Sequence, residues 1–122
     1  MIVFDSSVWI ALLNEIDSQH QKALRAFSDL RAPILLPEYV VLEVYTVLAI
    51  RVSKTQADAF LRLTSDNQDI HILLTDETFF LAVVTACQQQ KYKGLSFTDT
   101  ALVVLSAEHT VITFDRVLQK AI

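Results

Sequence analysis

Hydrophobic and polar positions along the chain switch repeatedly between two periods. The opening "MIVF" is a β-branched and aromatic run that stops at "DSS", and "SSVWIALLN" continues with helical spacing. A strand feeding a helix is the prediction. In "DSQHQKALRAFSDLR", Ala23, Leu24, Phe27 and Leu30 share one face with charges opposite, and Asp17 or Ser18 serves as the start signal. "APILL" reads as a brief buried strand. Pro37 then opens a long helix, "PEYVVLEVYTVLAIRV", and Ser53 caps the next, "SKTQADAFLRLTSD".

The second half repeats the pattern. "IHILL" is strand-like, "TDETFFLAVVTACQQQ" is a capped helix, and "TDTALVVLSAEH" is an apolar helix with Asp99 at its mouth. "TVITF" forms the last strand and "DRVLQKAI" a closing helix. Strands alternating with helices predict an α/β fold, a short parallel sheet covered by helices on both faces. Burial on both faces also explains why the strands are continuous apolar runs.

Composition bounds this picture without changing it. At 122 residues and 52% hydrophobic, the chain can bury one sizeable core, and its single glycine and two prolines leave little punctuation for a boundary. One domain over residues 1–122 is expected. Pro37, Glu38 and Glu43 interrupt the most apolar segment well short of a membrane span. The N-terminus lacks the basic start and cleavage site of a signal peptide, so a cytoplasmic location is expected. Cys87 is alone, which excludes a disulfide framework or thiolate metal site and suggests a small core residue.

Charge does change the picture. The net charge of −4, from 10 Lys+Arg against 14 Asp+Glu, argues against nucleic-acid binding through bulk electrostatics. Four of the acids, however, fall at special places. Asp5 directly follows the first predicted strand, Asp115 directly follows the last, and Asp99 opens a helix. In a parallel sheet these strand-to-helix ends form one rim, where ligands bind. Each of the three also has a reading as a helix N-cap, which does not exclude a role in a shared crevice. Glu43 rides near the apolar face of its helix, with Tyr39, Val40, Thr46 and Val47 one turn away and no lysine or arginine there to pair with it. A distant arginine remains the structural alternative. Oxygen-only ligands suit Mg²⁺ and Mn²⁺. Setting these four aside leaves 10 acidic against 10 basic residues, so the acidic balance ceases to exclude nucleic acid.

The blocks "IVFDSSVWIALL", "LPEYVVLEVYTVL", "GLSFTDTALVVLS" and "VITFDRVL" resemble, in order and spacing, the four motif blocks of PIN domains, most closely the toxin ribonucleases of VapBC toxin–antitoxin pairs. The resemblance covers essentially the whole chain. It implies catalytic, metal-binding acids at Asp5, Glu43, Asp99 and Asp115, with Ser6 as a supporting hydroxyl. It further implies Mg²⁺- or Mn²⁺-dependent RNA cleavage, a homodimer, and an antitoxin that blocks the active site. Arg116, Lys91 and Lys93 are the candidates for holding RNA backbone, each with the alternative of a solvated surface charge.

Other chemistries fit less well. One glycine builds no phosphate-binding loop, and His20, His71 and His109 lack ligand spacing. A nucleophile at Ser6 or Ser7 has no histidine partner. A phosphoacceptor receiver domain would need paired acids after the first strand, where Ser6 and Ser7 stand. A PIN-like RNA-binding module without turnover stays open.

Overall fold

The computed structural model describes residues 1–122. The elements run β1 (Ile2–Phe4), α1 (Ser6–Leu13), α2 (His20–Ser28), β2 (Ile34–Pro37), α3 (Glu38–Arg51), α4 (Lys54–Asp66), β3 (Ile70–Leu73), α5 (Glu77–Gln89), α6 (Phe97–Leu105), β4 (Thr110–Ile112) and α7 (Arg116–Ala121). All strand pairings are parallel and the strand order is β3-β2-β1-β4. The chain therefore winds outward from β1 to β3 and then crosses to the other side of β1 for β4. Helices α1 to α4 pack on one another, and α5 packs with α6 and α6 with α7. Right-handed crossovers with a reversal of winding put these two groups on opposite faces of the sheet. The α/β expectation holds, and the reversal creates a switch point between β1 and β4.

The core forms where these layers meet. Trp9, fully buried on α1, sits edge-on to Phe4 and Phe60 at 5.5 Å each and to Phe27 at 6.3 Å. Leu36, Val40, Val44 and Leu48 fill the space beneath α3. This cluster anchors β1, α1 and α3 together, and these elements carry Asp5, Ser6 and Glu43.

Several local expectations are corrected. Helix α2 begins at His20, because the Asp17 carboxylate accepts from the Gln19 N–H in a turn ahead of it and caps no helix. On that helix Ala23 is buried but Leu24 is exposed. Strand β4 ends at Ile112, so Thr113 and Phe114 separate it from Asp115. Cys87 is half-buried on α5 and stands outside the core cluster, so it is not the core residue expected. Ser53 does cap α4, accepting from the Gln56 N–H at 3.1 Å. Gly94 has φ +87°, the only positive φ in the chain, in the connection that carries Lys91 and Lys93 into α6.

Candidate active site

Asp5 leaves β1 at the carboxyl end of the sheet and occupies the N-cap position of α1, yet its side chain caps nothing. It is 3% exposed, and burying a carboxylate is costly unless hydrogen bonds replace water. Two hydroxyls do so: Ser7 Oγ donates to Oδ2 at 2.8 Å and Thr113 Oγ1 donates to the same oxygen at 2.7 Å. Thr113 in turn accepts from the Asp115 N–H at 3.0 Å, and Ser7 Oγ accepts from the Phe114 N–H at 3.2 Å. Gln119 Nε2 donates to the Thr113 carbonyl at 2.8 Å and closes the loop onto α7. The segment from Thr113 to Asp115 is thereby laced to Asp5.

The other oxygen of Asp5 has a different neighbour. Ser6 Oγ lies 3.4 Å from Oδ1 but only 2.7 Å from Glu43 Oε1. A hydroxyl has one proton, and the shorter contact takes it. Glu43 is half-buried on α3 and its partner is Ser6, so no distant arginine neutralises it.

Asp99 is the third residue of α6, and the helix is capped by Ser96. The expectation that Asp99 caps this helix is thus corrected by one turn. Ser96 Oγ accepts from the Asp99 N–H at 3.0 Å and Asp99 Oδ2 accepts from the Ser96 N–H at 2.9 Å, a reciprocal capping box. Burial raises the Asp99 carboxyl above the usual aspartate range, and the negative charges of Asp5 and Asp115 push the same way, against the Ser96 hydrogen bonds. That coupling places Asp99 within electrostatic reach of both acids. Asp115 is exposed and caps α7, its Oδ1 accepting from the N–H groups of Val117 at 2.8 Å and Leu118 at 3.3 Å.

Asp5 is the hub of the four, joined to Glu43 through Ser6, to Asp115 through Thr113, and to Asp99 through space. The carboxylates share a second property. In Glu43, Asp99 and Asp115 one oxygen is tied to the protein and the other accepts no hydrogen bond; in Asp5 the second has only the long Ser6 contact. None pairs with a cation, since the protein's ion pair joins Lys54 to Asp58 on α4. The donor set therefore fits a hard divalent cation. In this conformation no three His, Cys, Asp or Glu side chains are gathered closely enough to hold one.

Among the basic candidates, Arg116 follows Asp115 and is exposed, as are Lys91 and Lys93 ahead of α6. The histidines stand apart: His20 pairs with the Ala11 carbonyl, His109 with the N-terminal amine, and His71 is exposed. Thr113 and Ser7 were missed by the sequence pattern. A threonine at the end of an apolar strand, two residues before Asp115, was the signal available for the first. A cavity of about 390 Å³ lined by Phe27, Leu30, Arg31 and Asn67 lies at the opposite end of the strands, away from the acids.

Known proteins share the fold and the family of this chain. Over nearly the whole chain the fold is similar to the Mycobacterium tuberculosis toxin VapC20, described as cleaving the Sarcin-Ricin loop, with a TM-score of 0.88 and 19% identity. That alignment covers 99% of this chain and 95% of the other. No curated protein sequence matches significantly. No helix is long and apolar enough to cross a membrane. The family model described as the PIN domain matches residues 2–121, which turns the reading away from a phosphoacceptor receiver. The chain belongs to the PIN domain family.

Proposed function

We propose that the chain is a Mg²⁺- or Mn²⁺-dependent endoribonuclease, the toxin of a type II toxin–antitoxin pair, working in the cytoplasm on single-stranded or looped RNA. The observation that supports this reading is the hydrogen-bonded chain linking Asp5 to Glu43 through Ser6 and to Asp115 through Thr113, with one oxygen of each of these acids and of Asp99 held back from the protein and none paired with a cation. Membership of the PIN family and the fold shared with a toxin that cleaves an RNA loop support it.

Asp5, Glu43 and Asp99 would hold the ion, and Asp115 would complete the set directly or through water. A bound divalent cation supplies a water of lowered pKa and neutralises charge on a phosphodiester. The protein's own work is positioning. Thr113 and Ser7 fix Asp5 so that Oδ1 remains for ligation, and Ser6 fixes Glu43 through Oε1. Ser96 fixes the Asp99 rotamer through Oδ2, and the α7 amides do the same for Asp115. Arg116, Lys91 and Lys93 would meet RNA backbone near the rim.

The partner in this reading is an antitoxin protein that covers the rim, and a second copy completes a homodimer. Leu42 and Ile50, two turns apart on α3 with the exposed Thr46 between them, are 60% and 78% exposed and offer apolar contacts to another copy. The test is a cleavage time course on a structured RNA with Mg²⁺, with chelator, and with Glu43→Gln. Cleavage by wild type that stops with chelator and fails in the variant is expected. Equal cleavage by the variant points to contamination and removes the assignment, and RNA binding without cleavage favours a PIN-like module that lacks turnover.

A further inference from the structure

We infer that Lys22 is a phosphate-binding residue for the RNA strand, seated at the rim by the ring of Phe114; this rests on the nuclease reading above. Lys22 is exposed on α2, and its Nζ lies 4.9 Å from the Phe114 ring centroid. Phe114 stands between Thr113, which holds Asp5, and Asp115. Its own N–H donates to Ser7 Oγ at 3.2 Å, the hydroxyl that also donates to Asp5. The ring that carries the Lys22 cation is therefore built into the same hydrogen-bonded segment as the carboxylates.

Two cations thus lie next to the Thr113–Asp115 segment, Arg116 by sequence and Lys22 over the Phe114 ring, and neither is consumed in an ion pair. Flanking cations answer a problem the site poses. A divalent ion offsets charge where it sits, but the neighbouring phosphates of a polyanion still meet an acidic protein with a net charge of −4. An ammonium held over an aromatic face is partly preorganised and keeps its outward N–H donors for a phosphate oxygen. Lysine at this place acts as a point charge and needs no bidentate geometry.

The test is steady-state cleavage of a short fluorescein-labelled single-stranded oligoribonucleotide in Mg²⁺, over a series of KCl concentrations, for wild type, Lys22→Gln, Lys22→Arg and Phe114→Leu. For Lys22→Gln the expected result is KM raised about 3- to 10-fold with kcat held, and a salt slope of log(kcat/KM) shallower by about 0.7. Lys22→Arg should restore both, and Phe114→Leu should raise KM while its melting temperature reports any loss of fold. Unchanged KM and salt slope in Lys22→Gln overturn the inference, as does a lowered melting temperature with unchanged kinetics, which assigns Lys22 to packing on Phe114. If wild type itself does not cleave, the nuclease reading falls and this one with it; wild type cleaving no differently from Lys22→Gln removes Lys22 alone.

Discussion

Thr113 Oγ1 donates to Asp5 Oδ2 at 2.7 Å, a bond that spans 108 positions of the chain. It joins the ends of the adjacent parallel strands β1 and β4 at the switch point, and both residues are buried there. Thr113→Val keeps the shape and deletes the donor, leaving a buried carboxylate short of one hydrogen bond. A stability loss of about 1–3 kcal/mol is expected, with the Asp115 N–H also losing its acceptor. Thermal unfolding and cleavage measured together should show a lower midpoint and lower activity. An unchanged midpoint would refute the buried bond.

Ser6→Ala frees Glu43 without disturbing the core, because Ser6 contributes a hydroxyl and little volume. The Mg²⁺ concentration needed for half-maximal cleavage should rise on the order of 10- to 100-fold, as it does when an outer hydrogen bond to a metal ligand is removed. An Mg²⁺ titration that overlays wild type would show that the Ser6–Glu43 bond has no part in metal binding.

Asp99→Asn separates structure from charge. An asparagine oxygen can still accept from the Ser96 N–H, so the capping box is largely kept. Without metal the variant should be the more stable protein, since it removes a carboxylate that burial and its acidic neighbours disfavour. Adding millimolar Mg²⁺ should then stabilise wild type more than the variant, because binding to the folded state raises stability. Melting curves of both proteins with chelator and with Mg²⁺ decide it, and equal gains from Mg²⁺ would leave Asp99 as a plain capping-box residue.

The same raised carboxyl predicts a pH dependence. A group that holds its proton more tightly when folded lends stability below its unfolded pKa, and that stability is lost as pH rises through the folded value. The metal-free midpoint of wild type relative to Asp99→Asn should therefore fall between the ordinary aspartate range and Asp99's own raised value. In the metal-loaded reaction protons compete for Asp99, so cleavage should decline on the acid side earlier than for an unperturbed aspartate. Parallel midpoint–pH curves for the two proteins would contradict both statements.

Association is expected through the exposed Leu42 and Ile50 of α3. Light scattering at tens of micromolar should give the mass of two chains, and Leu42→Glu should lower it while sparing the melting temperature, because Leu42 is 60% exposed. A single-chain mass for wild type at high micromolar concentration would reject the homodimer.

The sequence by itself determined the alternation of apolar strands with helices, because the change of period between 2 and 3.6 is written locally. It also singled out the four candidate acids, Asp5, Asp99 and Asp115 by their places at element ends and Glu43 by its place near the apolar face of its helix. For α6 the sequence reading puts the cap at Asp99, whereas Ser96, three residues earlier in "SFTD", caps the helix in a capping box with Asp99. Only the tertiary structure decided which carboxylate oxygens are free. Asp5 looks like a helix cap in one dimension, but packing β1 beside β4 turns its side chain to Thr113 and Ser7. The exposure of Leu24, the two residues between β4 and Asp115, and the seat of Lys22 over Phe114 were likewise decided there. Local patterns carry propensity and periodicity, whereas hydrogen bonds and cation contacts between distant segments depend on the strand order and on where each helix ends, and no local pattern specifies either.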